Sequence, residues 1–77
     1  MSDVEAGLER VVEQSKKVVE QIRDEGREVP EWASTQVKLA EDVLATHRRG
    51  QDHRYALNEL LRHEALTQSK RDAFFAE

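Results

Sequence analysis

At 77 residues the chain can form one domain but not two, and with 38% hydrophobic and only 5% aromatic residues it has few bulky side chains to build an interior from. It has no cysteine, so the disulfides that staple many domains of this size are excluded, and a second subunit is the natural source of extra apolar contact. A formal net charge of −4 argues against a general affinity for phosphate backbones or anionic membranes. No apolar run approaches the roughly 20 residues of a membrane-spanning helix. Met1-Ser2-Asp3-Val4-Glu5 has neither the basic nor the apolar region of a secretory signal, so the expected location is the cytoplasm in which the chain is made.

The first predicted helix covers 3–25. Val4, Leu8, Val11, Ser15, Val18 and Ile22 recur at alternating spacings of four and three, with Val12 and Val19 widening the stripe. Ser2 or Asp3 suits the cap, and Asp3 and Glu5 suit the positive end of the helix dipole. Gly7 should weaken the first turns, and Gly26 supplies a left-handed stop. Pro30 fits the start of a second helix over 30–49, with Ala33, Val37, Ala40, Leu44 and His47 on one stripe and Trp32, Leu39 and Val43 flanking it. His47-Arg48-Arg49-Gly50 reads as its terminus.

Asp52 is the predicted cap of a third helix over 52–66, whose apolar face begins with Leu57, Leu60 and Leu61. The stripe becomes irregular after Leu61, which predicts a bend near Thr67. The capping-box spacing of Ser69 and Asp72 suggests a separate short helix over 69–76 carrying Phe74 and Phe75. No alternating apolar pattern of the kind strands need is present. The fold class expected is all-α: three amphipathic helices as a helical hairpin or three-helix bundle, with an optional short fourth helix at the carboxyl end.

Little in the sequence points to catalysis. His47, His53 and His63 lack paired metal-ligand spacing, and His63-Glu64 is not followed by the second histidine of a zinc-protease helix, so no metal or cofactor is expected. No phosphate loop or glycine-flanked nucleophile is present, and the carboxylates occur mostly at solvent-facing helical positions. The basic cluster of Arg48, Arg49, His53 and Arg54 lies where two helices meet, as in a helix-turn-helix, and Arg48, Arg49 and Arg54 are the candidate nucleic-acid contacts. The acidic balance and the missing base-reading side chains favour plain charge complementation of a helix end.

The stretch Glu25 to Leu44 resembles a segment of small virion proteins of tailed bacteriophages: a glycine, an acidic residue, leucine or valine, proline, any residue, tryptophan, then a lysine-isoleucine or similar pair, and alanine followed by an acidic pair. The matching residues are Gly26, Val29, Pro30, Trp32, Val37, Ala40 and Asp42. The family continues with tyrosine-rich sequence where this chain has Ala45-Thr46-His47-Arg48-Arg49 and a further helix. The resemblance implies a structural or assembly role, in the virion or the host cytoplasm, with no catalytic residues.

The functional expectation is a non-enzymatic protein–protein interaction or assembly subunit, homo-oligomeric or part of a larger assembly, with no nucleic-acid or membrane partner. Its candidate contacts are Val11, Val18 and Ile22 of the valine-rich stripe, the lone Trp32, and Phe74 and Phe75 as a docking tail. The alternative is a small regulator that binds a host protein or nucleic acid.

Overall fold

The computed structural model describes residues 3–77. Among them lie four helices and no strand: α1 (Asp3–Asp24), α2 (Glu31–Arg48), α3 (Arg54–Leu66) and α4 (Gln68–Ala76). The expected role of Ser2 as a cap lies outside the described residues.

Both long turns end their helices in the same way. Gly26 and Gly50 adopt left-handed φ values of 74° and 73°, which a side chain would disfavour. The Gly26 amide bonds to the Arg23 carbonyl at 2.9 Å and the Arg27 amide to the Ile22 carbonyl at 3.1 Å. Gly50 and Gln51 repeat the pair on His47 and Thr46 at 2.9 and 3.2 Å. These are paired Schellman bonds, and they satisfy carbonyls that a helix end would otherwise leave open. Pro30 stands just before α2 with extended ψ of 155°, its carbonyl accepting from the Ala33 amide. The cap position of α3 falls on His53, which makes no side-chain cap bond; the predicted cap, Asp52, stands one residue earlier, where its Oδ1 accepts from the Arg54 amide at 3.0 Å.

α2 is the middle of the structure. The backbones of α1 and α3 both pack against α2 and do not approach one another, while that of α4 approaches only α3. A helix with a neighbour on each side must bury a wide arc, and α2 buries Trp32, Ala33, Gln36, Ala40, Val43 and Leu44. The arc is turned from the predicted stripe: Val43 is its fully buried centre, and Val37 and His47 are only half-buried. The backbones of α1 and α3 stay apart on either side of α2, while side chains of all three helices join one core cluster, so the all-α arrangement is open on the side where α1 faces α3.

The interior divides in two. One cluster joins Leu8 and Val12 of α1, Ala40, Val43 and Leu44 of α2, and Leu60 of α3. The other, at the opposite end of the α1–α2 hairpin, joins Ile22, Trp32 and Ala33, with Val18, Val29 and Phe74 packed on it. Between them the buried residues are polar, Ser15 and Gln36. Among the described residues nine hydrophobic ones are buried, each worth roughly 1.5–3 kcal/mol for the larger side chains, a thin core for a chain of this length.

The predicted capping box is overturned. α4 begins at Gln68, so Ser69 lies inside its first turn, and Thr67 alone separates α3 from α4. The Thr67 hydroxyl donates to the His63 carbonyl at 2.8 Å, a back-bond that competes with the helix ladder and accounts for the bend predicted there.

Gly7 lies in regular helix, and a Cβ built on it meets no atom within 4 Å. Gly7→Ala should therefore stabilise the fold by about 0.5–1 kcal/mol through the entropy of the unfolded chain, measured as a raised urea midpoint with unchanged slope.

Candidate functional site

Because α1 and α3 do not meet, a groove remains between α1 and the α3–α4 arm, with α2 as its floor. It measures about 230 Å³ and is lined by Val11, Ser15 and Val18 of α1, Trp32 and Gln36 of α2, and Glu64 and Arg71 beyond. The lining follows from the sequence period. Val4, Val11 and Val18 are seven residues apart, so they occupy one edge of α1, while Leu8, Ser15 and Ile22 turn toward α2. On α3, Leu57, Leu61 and Glu64 share the facing edge by the same rule. Val4 is 49% and Leu61 52% exposed, so both rims carry apolar surface into solvent.

Three predicted contact residues, Val11, Val18 and Trp32, thus meet in one groove. Ile22 does not: it is completely buried in the hairpin core and cannot touch a partner, because its position turns it toward α2. Nor do Phe74 and Phe75 form a loose tail. They end α4 and stack edge-on against Trp32, with ring centroids 5.8 and 6.2 Å away. Phe74 is half-buried, and Phe75 remains 43% exposed. Such edge contacts contribute about 0.5–1.5 kcal/mol each beyond area burial.

Arg27, which the sequence reading passed over, clasps this aromatic group. Its guanidinium carbon lies 3.5 Å from the Phe74 ring centre, its Nη1 donates to the Phe74 carbonyl at 3.1 Å, and its Nη2 bonds Glu77 at 2.6 Å. Arg71 lies 5.2 Å from the Trp32 ring, on the groove wall. An arginine one residue after the helix-ending Gly26 is a place from which a long side chain can reach across the turn, but nothing in the sequence says what it reaches.

Gln36, also missed, links α2 to α3. Its Oε1 accepts from His63 Nδ1 at 2.8 Å. Burial, followed by the charges of Arg71 and Lys70, pushes the His63 pKa below its ordinary value of 6.5. A histidine that becomes protonated here is a partly desolvated cation close to two others.

The three candidate nucleic-acid residues are engaged elsewhere. Arg48 bonds Glu5 at 3.3 Å and Glu9 at 2.9 Å, tying α1 to the end of α2. Arg49 bonds Gln51 and Thr46. Arg54 forks onto Asp52, whose carboxyl its side-chain hydrogen bonds hold at a pKa of about 2. Carboxylates thus offset much of the positive field the sequence cluster suggested. His47 and His53 stack at 5.1 Å, yet among the described residues no three His, Cys, Asp or Glu side chains gather into a group that could hold a metal. No described helix is long and apolar enough to cross a membrane.

Comparison with protein families, with curated proteins and with solved structures returns no match. The phage resemblance therefore rests on its own residues, and these can now be placed. Gly26, Val29 and Pro30 make the α1–α2 turn, and Trp32 and Ala40 lie on the buried face of α2.

The depressed His63 pKa has a defined consequence. The folded state holds fewer protons on this group than the unfolded state, so its contribution is complete above about pH 7 and is lost as pH falls through the ordinary histidine value and below. His63→Asn, which keeps an amide donor for Gln36, should flatten that part of the stability profile between about pH 7 and pH 5 in urea titrations. An unchanged slope would show that His63 does not carry it.

Proposed function

We propose that this chain is a non-enzymatic assembly subunit that works by protein–protein interaction and associates with further copies of itself, as structural or virion-associated proteins of bacteriophages do. The observation that carries the reading is the open groove: Val11, Val18, Trp32 and Ala33 line it among the polar Gln14, Ser15, Gln36, Glu64 and Arg71, α2 gives it a buried floor, and Val4 and Leu61, on the same helix edges by spacing, stay about half exposed. A fourth helix at this place would close the bundle that α1, α2 and α3 leave open.

The overall dimensions support a missing partner. The molecule extends 41 × 23 × 16 Å, and its radius of gyration of 13.2 Å exceeds the ~11.5 Å of a compact domain of this length. It exposes 5577 Å², against about 4,800 Å² for a compact monomer of its mass. The difference is close to the ~800 Å² that one partner contributes to a standard interface. The Glu25 to Leu44 resemblance supports a phage context, in the host cytoplasm or the particle, because the residues that match build the hairpin presenting the groove.

Sedimentation equilibrium and native mass spectrometry test the reading. The expected mass exceeds the 8.9 kDa of one chain at micromolar concentration. Val11→Asp or Val18→Asp should weaken association by two orders of magnitude or more, since each places an unpaired charge in an apolar contact. Leu61→Glu, at a half-exposed position, should weaken it while leaving helix content unchanged. A folded wild-type monomer at every concentration would refute self-association.

A further inference from the structure

Away from the Thr67 joint, where Arg71 Nη2 bonds the Thr67 hydroxyl at 3.2 Å, α4 is held mainly by its aromatic end. Its backbone approaches no helix but α3, and its ties to the α1–α2 hairpin are the stacking of Phe74 and Phe75 on Trp32, the Arg27 clasp and the Arg71 guanidinium near Trp32. These ties join residues 27–32 to residues 71–77. Nothing in their chemistry requires the two segments to belong to the same molecule.

The hinge is one residue, and it is nearly helical already. Thr67 has φ −98° and ψ 1°, its amide donates to the His63 carbonyl at 3.0 Å, and its carbonyl accepts from the Arg71 amide at 2.9 Å. Neither glycine nor proline occurs anywhere from Arg54 to Ala76. At the bend the Thr67 hydroxyl donates to the His63 carbonyl at 2.8 Å, with the Glu64 carbonyl at 3.4 Å, and accepts from Arg71 Nη2 at 3.2 Å, so all three contacts are local to the joint. A small rotation at Thr67 fuses α3 and α4 into one unbroken helix about 35 Å long, carrying the aromatic pair away from its own Trp32.

From this geometry we infer that α4 is an exchangeable arm: α3 and α4 straighten, and the Phe74–Phe75 end of one copy occupies the Trp32–Arg27 seat of a second copy. The occupant is this chain's own α4, because the seat is seen filled by that segment, ring for ring and with a matched Arg27–Glu77 ion pair. Exchange of an identical element conserves every contact of the seat and adds the straightened helix as new surface between copies. It also makes the groove a composite site, since Arg71, on its wall, would come from the partner. The inference rests on the self-association proposed above and specifies how the copies join.

The chain has no cysteine, so single cysteines report the arrangement directly. Glu28→Cys and Ala76→Cys chains, which place thiols at exposed positions next to the Arg27–Glu77 pair and leave it intact, are made separately, mixed, left to exchange and treated with a short thiol-to-thiol cross-linker, with Arg49→Cys replacing Glu28→Cys as a control at the far end of the hairpin. Covalent heterodimers of the Glu28→Cys and Ala76→Cys chains are expected, well above the control. Thr67→Ala in both chains, which removes the back-bond and the Arg71 bond to the same hydroxyl, should raise their yield severalfold. Non-covalent dimers that give no cross-link above the control overturn arm exchange and leave self-association standing; chains that stay monomeric, with the Glu28→Cys/Ala76→Cys double variant cross-linking only within itself, overturn both. Should the cysteine chains lose helix content, the otherwise wild-type Thr67→Ala chain decides by sedimentation: tighter dimerisation than wild type supports exchange, and an unchanged dimer constant overturns it.

Discussion

The structure depends on α2 serving as the packing partner of α1 and of α3 at once. A helix of 18 residues offers limited circumference, and the arc from Trp32 to Leu44 is divided between two neighbours. What is spent on one side is not available to bring the other side round, so α1 and α3 end up beside α2 without closing over it. The groove is the geometric remainder of that arrangement. The apolar part of its mixed lining on α1 follows from the seven-residue repeat that sets Val11 and Val18 along an edge that α2 does not cover, beside the polar Gln14 and Ser15.

Between the two apolar clusters the polar residues act as a spacer with direction. Gln36 meets His63 in a single hydrogen bond across α2 and α3, and Ser15 takes a buried position where a larger residue would widen the α1–α2 contact. A buried polar pair adds little net stability, but leaving either partner unpaired is costly, so it disfavours sliding of one helix along the other. Register between α2 and α3 is thus fixed by a bond, while register between α1 and α2 is fixed by the close fit of Ala33 and Ala40 with Ile22, Leu8 and Val12 and by the Arg48 pairs at one end.

The carboxyl-terminal arm belongs to a different regime. α4 buries no residue of its own completely, and its hold on the hairpin is concentrated in Phe74 and Arg27. The same few side chains that complete the second core cluster can therefore be released together. Concentrating a contact at the end of a hinged helix separates the fold of the hairpin from the placement of the arm, and that separation makes the arm suited to joining copies.

Much of this was legible in the residues. Periodicity located the helices to within one or two residues, because burial of a stripe needs that period, and Gly26 and Gly50 marked the turns because a left-handed backbone favours glycine. The bend at Thr67 showed in the loss of the apolar stripe. Tertiary structure alone decided which of two faces a helix residue sees: Ile22 and Val18 look equivalent in sequence, yet one is sealed in the core and the other edges the groove. It decided that Arg48 and Arg54 meet carboxylates, that Arg27 reaches Phe74, and that Gln36 pairs with His63, since these join residues 27 to 47 positions apart, or depend on rotamers that spacing does not encode. Local propensity and period are properties of neighbouring residues. The partners of long polar side chains are set only once the helices have taken their places.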